Sequence, residues 1–330
     1  MLARIGYRSK VFIMSYDVTV VTVVYELVKG GCKDMFRQCI DSVAGQEGVS
    51  IEHIIVDGGS TDGTKELIAE FARGRGNFSW ISEPDNGIYD AMNKGLKLAQ
   101  GRYITFLNAD DYYHDPDGLR ASVRMLDASG ADFSYAPAVI VRRDGTRSTT
   151  SPHVRPDLRN LLKGMPFSHQ SVLVRTDLMR QMVGFSTDYY RSADYAFVME
   201  LVFSGKKAVR VGKDFVTFRT GGFSAQNPAE NQREHAIAFA ALAKRHLGRE
   251  LTEKELKAYV YACVLRTFGA AALRDGWNGV ENDIAPFIAG RFGEIARLER
   301  EVSALKQSTA YRVGMFMTAP FRWVYRKLKK

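Results

Sequence analysis

Residues 18–25 read VTVVTVVY, and residues 51–60 read IEHIIVDGGS. The first run is β-branched and apolar almost throughout, which suits a strand covered on both faces better than one with a wet side. Such strands belong to α/β sheets. Between the two runs Met35, Phe36, Cys39, Ile40 and Val43 recur at helical spacing, and after the second come Leu67, Ile68 and Phe71. A strand at Phe78–Ile81, a helix over Ala91–Ala99 and a strand at Tyr103–Leu107 continue the pattern. Strand and helix alternate repeatedly, so the sequence predicts a mostly parallel sheet with helices on both faces. Ligands of such sheets bind beyond the carboxyl ends of the strands.

Outward from this block the pattern loosens. One strand is expected over Phe133–Val141, then a turn at Arg143-Asp144-Gly145, then a strand over Ser171–Arg175. From about Pro228 glycine and strand signals thin out, and Glu234–Leu247 and Thr252–Leu273 read as helices. These readings divide the chain into a leader (1–16), an α/β domain (17–225), a helical extension (226–290) and a terminal segment (291–330). The last segment holds Ile295, Leu298, Val302 and Leu305 at the spacing of a short heptad seam, which makes a homodimer an option.

The 330 residues and 45% hydrophobic side chains suffice for a large core, and 25% charged residues exclude a disordered chain. The net charge is +9, but Arg312, Arg322, Arg326, Lys327, Lys329 and Lys330 fall in the last twenty positions with no acid among them. What precedes is nearly balanced. A local contact with an anionic surface is therefore expected, rather than a protein coated in nucleic acid. The tail's basic residues are interleaved with Tyr311, Met315, Phe316, Phe321, Trp323 and Tyr325, a mix suited to the headgroup level of an anionic membrane or to packing on protein. Three cysteines without a Cys-x-x-Cys spacing suggest neither a disulfide framework nor a zinc site, and the default is a reducing cytoplasm. Asp17 cuts the apolar run after Val11, so no secretory signal is expected, and no stretch is long enough for an ordinary membrane span.

Two acidic strand ends carry the chemistry. The first is Asp57-Gly58-Gly59-Ser60-Thr61-Asp62-Gly63-Thr64, where glycines let backbone approach a ligand and Asp57 offers acceptors to ring N–H groups or hydroxyls. The second is Asn108-Ala109-Asp110-Asp111, whose carboxylates can hold a hard divalent cation through oxygen. Each taken singly also reads as an ordinary capping turn.

Taken together with ISEPDNGIYDAMNKGLKLAQGRYITFLNADD, FSHQSVLVR and GFSTDYYRSADYAFVMEL, these stretches resemble the family 2 glycosyltransferases of the GT-A fold over roughly residues 17–225. The variant EPDNGIYDAMNKG is similar to a bacterial branch acting in surface-polysaccharide assembly. The resemblance implies an inverting transfer from a nucleoside diphosphate sugar, most commonly a UDP-sugar, to a hydroxyl of a glycan or lipid-linked acceptor. It implies that Val24, Tyr25, Glu26 and Asp57 hold the nucleotide base, with Glu26 standing where the family usually has Asn. Asp85, Asn86 and Asn93 would line the cleft. The family's Asp-x-Asp metal motif falls on Asn108, Ala109 and Asp110, so Mg2+ or Mn2+ would rest mainly on Asp110, with Asp111 as the adjacent candidate. Asp194, in Ser192-Ala193-Asp194-Tyr195, would be the base that takes the acceptor proton, and as the bland alternative it would cap the following helix. His169 and Gln170 resemble the family's block lining the acceptor side, where His169 would touch diphosphate or acceptor, and Arg219–Ser224 resembles a loop that covers the donor. A dinucleotide-dependent oxidoreductase is disfavoured because no Gly-x-Gly-x-x-Gly turn follows Val24. A non-catalytic sugar-nucleotide-binding partner subunit of the same fold is the alternative, suggested by Asn108 and Glu26. The expected place of work is the inner face of the cell membrane.

Overall fold

The computed structural model describes residues 16–150, 155, 156, 161, 165, 167–222 and 227–248. The leader apart from Tyr16, the helix expected at Thr252–Leu273, the heptad seam and the basic tail lie outside the described residues. The chain divides into two compact units. The first takes the described residues up to 150 with 167–187 and 206–220; the second takes 155, 156, 161, 165, 188–205, 221, 222 and 227–248.

The first unit is built on a seven-stranded sheet in the order β10-β6-β9-β4-β1-β2-β3. Its parallel half consists of β1 (Tyr16–Val24), β2 (Ile51–Asp57), β3 (Phe78–Ser82) and β4 (Gly101–Phe106), joined by α1 (Lys33–Ala44), α2 (Thr64–Ala72) and α3 (Ile88–Leu98). β1 is buried from Val18 to Val24, as its unbroken apolar run requires. Val18 and Val20 join a cluster with Cys39, Leu107, Leu119 and Phe215, while Val24 packs with Phe36, Ile40, Ile55 and Ile68. Val21 lies against α3 at Gly95, where a Cβ would fall 2.4 Å from Val21 Cγ1, so glycine lets the helix sit on the strand. Each fully buried Val or Ile contributes roughly 1.5–3 kcal/mol relative to exposure.

The chain places β2 and β3 on one side of β1 and β4 on the other. Val24 registers with Asp57, Asp57 with Ser82, and Val21 with Phe106. The acidic turns after β2 and β4 therefore flank the end of β1, at the switch point where open α/β sheets bind ligands.

Beyond β4 the sequence reading needs correction. The stretch Phe133–Val141 is two strands, β6 (Phe133–Tyr135) in the large sheet and β7 (Ala138–Val141) in a second one. Pro137 lies between them and has no N–H to continue a ladder. The second sheet has the order β5-β11-β7-β8, with β5 (Tyr112–Tyr113), β8 (Arg147–Thr149) and β11 (Val216–Arg219). The turn at Arg142–Thr146 joins β7 to β8, with Gly145 at φ 81°. The expected strand at Ser171–Arg175 is a 3₁₀ turn, His169–Ser171, followed by β9 (Leu173–Arg175), which runs antiparallel between β4 and β6. Helices α4 (Gly118–Ser129) and α5 (Thr176–Gln181) and strand β10 (Ala208–Arg210) complete this unit.

In the second unit α6 (Ala193–Phe203) packs on α7 (Pro228–Leu247). Tyr195 stacks on His235 with centroids 3.9 Å apart, and Glu234 accepts the Tyr190 and Arg191 N–H groups at 2.9 and 2.7 Å. Contacts thus group residues 188–205 with α7, although the sequence reading sets them on opposite sides of a boundary at 225.

Candidate nucleotide-sugar site

The turn after β2 is organised by Asp57. Its side chain is 0% exposed. Oδ1 accepts from Ser60 Oγ at 2.5 Å, and Oδ2 accepts from Ser60 N–H at 3.0 Å and Ser82 Oγ at 2.6 Å. Ser60 Oγ in turn accepts the Glu26 N–H at 2.7 Å, which fixes Glu26 at φ 47°, an uncommon conformation for a residue with a side chain. The Glu26 carboxylate bonds Lys29 at 2.8 Å and Thr61 at 3.2 Å, bridging the loops after β1 and β2; the lysine's hydrogen bond is the leading influence holding its carboxyl below the usual range. Val24 is buried, and its carbonyl accepts the Gly58 N–H at 3.0 Å. Tyr25 follows with 68% of its surface exposed.

The loop between β3 and α3 brings Asp85 to the same place. Asp85 Oδ1 accepts the Gly87 N–H at 2.8 Å, and the exposed Asn86 gives its N–H to Asp90. Asn93, in α3, has its amide engaged by the protein. Its amide accepts the Phe185 N–H at 2.9 Å and donates to the Phe185 carbonyl at 2.8 Å, so it pins the backbone after α5 as a strand partner would. Phe185 is thereby held against Phe106 and Tyr89.

At the end of β4 the chain turns tightly, with Asp111 N–H donating to the Asn108 carbonyl at 3.1 Å. Asn108 Oδ1 is buried and has no hydrogen-bond partner among the described residues. Ala109 packs against the cluster of Val24, Phe36 and Ile40. Asp110 and Asp111 part company here. Asp111 is 0% exposed, with Oδ2 accepting from Gln170 Nε2 at 2.5 Å and Oδ1 accepting the Arg219 N–H at 2.8 Å. Burial, and after it the charge of Asp110, pushes its carboxyl well above the usual range. Asp110 is only partly buried; desolvation raises its carboxyl too, with Arg219 and His169 near enough to work in the opposite sense.

Arg219 is the functional candidate that the sequence leaves inconspicuous inside a loop segment. Its guanidinium lies 4.7 Å over the Tyr112 ring, donates to Gln38 Oε1 at 2.5 Å and bonds the Asp110 carbonyl. A single charge ending an apolar strand was the available signal. Gln38 carried none. The first unit therefore brings together Tyr25, Glu26, Asp57 and Asp85 at one strand end, and Asn108, Asp110, Asp111, His169, Gln170 and Arg219 at the other. Asp194 belongs to the second unit, where it stands partly exposed in the first turn of α6, one residue inside the helix rather than at its cap.

A parallel sheet carrying two acidic turns about its switch point, with a smaller mixed sheet beyond, is the GT-A architecture. The solved structures bear this out at the level of fold. TarS 1-349 of S. aureus in complex with UDP-GlcNAc matches with a TM-score of 0.60 at 19% identity, covering 83% of this chain and 81% of that one. The mannosyltransferase PcManGT from Pyrobaculum calidifontis, in complex with GDP-Man and Mn2+, matches with a TM-score of 0.54 at 18% identity, over 97% and 90%.

The sequence comparison goes further: residues 19–191 match the model of glycosyl transferase family 2, and the chain belongs to that family. A PGL/p-HBAD biosynthesis glycosyltransferase of Mycobacterium bovis is 34% identical over 161 residues, 48% of this chain and 61% of the relative. The succinoglycan biosynthesis protein ExoO of Rhizobium meliloti is 33% identical over 129 residues, 39% of this chain and 35% of the relative. The chain thus spans about three fifths or less of these relatives' lengths.

Among the described residues no group of three or more His, Cys, Asp or Glu side chains is arranged to hold a metal, and no helix is long and apolar enough to cross a membrane.

Proposed function

We propose that this chain transfers a sugar from a nucleoside diphosphate sugar to a hydroxyl of a glycan or lipid-linked acceptor, with inversion at the anomeric carbon. The observation that carries the reading is the end of β4, where a partly exposed carboxylate, Asp110, stands beside the fixed cation of Arg219 at the sheet's switch point. UDP-GlcNAc and GDP-Man in the structural neighbours support a nucleotide-sugar donor, and the relatives' names support glycolipid or polysaccharide assembly.

The donor set at this strand end suits a hard divalent ion. Asp110 offers carboxylate oxygens, and Asn108 Oδ1 is a buried acceptor without a donor among the described residues. Asp111 is less suited because it is 0% exposed and both its oxygens accept hydrogen bonds from the protein. Bound Mg2+ or Mn2+ would supply Lewis-acid stabilisation of the departing diphosphate. Arg219 adds a positive charge that Tyr112 and Gln38 hold in place, so it needs little reorganisation as negative charge develops on the leaving group. His169 lies near enough to Asp110 to affect its charge, which suits contact with the same diphosphate.

An acceptor hydroxyl becomes a competent nucleophile as its proton leaves, and Asp194 is assigned as the base. Asp194→Asn should retain donor binding in calorimetry while transfer falls roughly 10²–10⁴-fold, the usual range for losing a general base. Turnover at the wild-type rate would remove Asp194 from the mechanism.

The reading sets the reaction at the inner face of the cell membrane, with the basic residues of 311–330 meeting anionic headgroups at roughly 1 kcal/mol each. Truncation at Ser308 should release the protein from anionic vesicles in a sedimentation assay yet leave hydrolysis of the sugar nucleotide intact. Equal sedimentation of the truncated chain would sink the membrane contact.

A further inference from the structure

The base-binding end of the donor site contains three carboxylates. Glu26 has one oxygen bonded to Lys29 and the other to Thr61, where it bridges two loops, and Asp57 and Asp85 differ in what they can reach. Asp57 has no exposed surface and receives three hydrogen bonds, two from Ser60 and one from Ser82. A carboxylate has about four acceptor positions, so Asp57 has little capacity left and no opening through which to use it. Asp85 differs on both counts. It is partly exposed; Oδ1 is held by the Gly87 N–H, which fixes the plane of the group, and Oδ2 meets no donor among the described residues. That second oxygen lies over Gly58. A Cβ built on Gly58 would stand 2.6 Å from Asp85 Oδ2 and 3.2 Å from Tyr25 Cδ2. Any side chain at position 58 would occupy the space where the carboxylate and the exposed Tyr25 ring come together.

Resting on the donor reading above, we propose that Asp85 is the carboxylate that reads the nucleobase, with the Tyr25 ring as its stacking surface and Gly58 as the residue that lets the two meet. Asp57 is the positioning residue that holds the turn. The chemistry then selects the donor by its base. An ionised carboxylate only accepts hydrogen bonds, so it favours a ring N–H, which uracil carries at N3 and guanine at N1. Cytosine N3 and adenine N1 present lone pairs there, and an acceptor facing an acceptor disfavours them. The preferred donors are uridine or guanosine diphosphate sugars, and the discrimination lies in one oxygen atom.

Calorimetric titration of the full chain with UDP, GDP, CDP and ADP in MnCl2 tests this. The wild type should bind UDP or GDP roughly 10- to 100-fold more tightly than CDP and ADP, the range for a hydrogen bond to a charged group. Asp85→Ala and Gly58→Ala should bring that ratio close to one. Asp85→Asn, which can present an N–H as well as an oxygen, should shift the preference toward CDP. Circular dichroism establishes that each variant is folded, and the ratio between bases is read within one variant, so a general loss of affinity does not imitate the effect. A wild-type ratio near one, or an unchanged ratio in both Asp85→Ala and Gly58→Ala, would overturn the assignment while leaving the donor reading intact. Failure of all four diphosphates to bind the wild type would overturn both.

Discussion

The ends of β2 and β4 make a matched pair. Each closes an apolar parallel strand with an acidic turn, and each combines a carboxylate at 0% exposure with a partly exposed one close by: Asp57 with Asp85, and Asp111 with Asp110. In each pair the buried member receives hydrogen bonds from distant segments and the other faces outward. Asp57 joins the turn after β2 to Ser82 at the end of β3, and Asp111 joins β4 to the 3₁₀ turn and to β11. An acidic strand end thus contains a structural group and an outward-facing group, and the residue type alone does not say which is which.

The largest effect should come from cutting the buried members. Asp57→Ala leaves Ser60 and Ser82 donors without an acceptor, and Asp111→Ala does the same to the Gln170 amide and the Arg219 N–H. At about 1–3 kcal/mol for each stranded buried donor, each variant should lose roughly 2–5 kcal/mol in chemical denaturation. Asp111→Asn should lose far less, because the amide keeps the acceptor for Arg219 and removes the cost of burying charge. Should Asp57→Ala or Asp111→Ala denature like the wild type, the division of labour fails at that strand end.

Asp110→Ala should do the opposite. Its denaturation midpoint should stay near that of the wild type, while the Mn2+-dependent part of nucleoside diphosphate binding disappears in calorimetry. Binding that is indifferent to EDTA in the wild type would show that no metal acts there.

A separate effect sharpens the comparison by adding a buried group of the opposite charge type. His53 of β2 is fully buried, bonded to Thr22 Oγ1 at 3.0 Å and edge-on to Phe78. Burial, helped by the charge of Arg75, pushes its pKa down to about 3 from 6.5. The unfolded chain therefore binds the extra proton first, so the His53 contribution is complete above pH 6.5 and is lost as the pH falls toward 3. The slope is about 1.4 kcal/mol per pH unit at most. Asp110 and Asp111, raised by burial, pull the other way in part of that window, so the measurement is the difference between the wild type and His53→Gln. Identical denaturation midpoints for the two between pH 6.5 and 4.5 would show that His53 is not buried as a neutral ring.

The parallel half was legible because its strands are complete apolar runs and its helices have a clear apolar stripe: Phe36, Cys39, Ile40 and Val43 all proved buried. The positions of the acidic turns were legible for the same reason, since they are the ends of those strands. The division of roles was not. Gln170 and Arg219 reach Asp111 across 59 and 108 residues, and nothing within the turn announces them. Asn93 belongs to the stretch that carries the family resemblance, but its amide is spent on Phe185, 92 residues away. The break at Pro137 was visible as a proline, yet the transfer of the chain to a second sheet depends on pairing with β11, which periodicity does not encode.

The seat of Asp111 also bears on how the protein is made. Its two partners arrive late, and Arg219 is placed only when β11 has paired with β5 and β7. During synthesis the β1–β4 sheet has its own local connections and can form early, whereas the acidic turn must wait for contacts that close long loops. The strands therefore do not constitute a separable nucleotide-binding module: a polypeptide ending before residue 219 would contain every acid of both turns and still leave one buried carboxylate half-satisfied. The seat of that carboxylate is complete only once residue 219 has been made and β11 has paired.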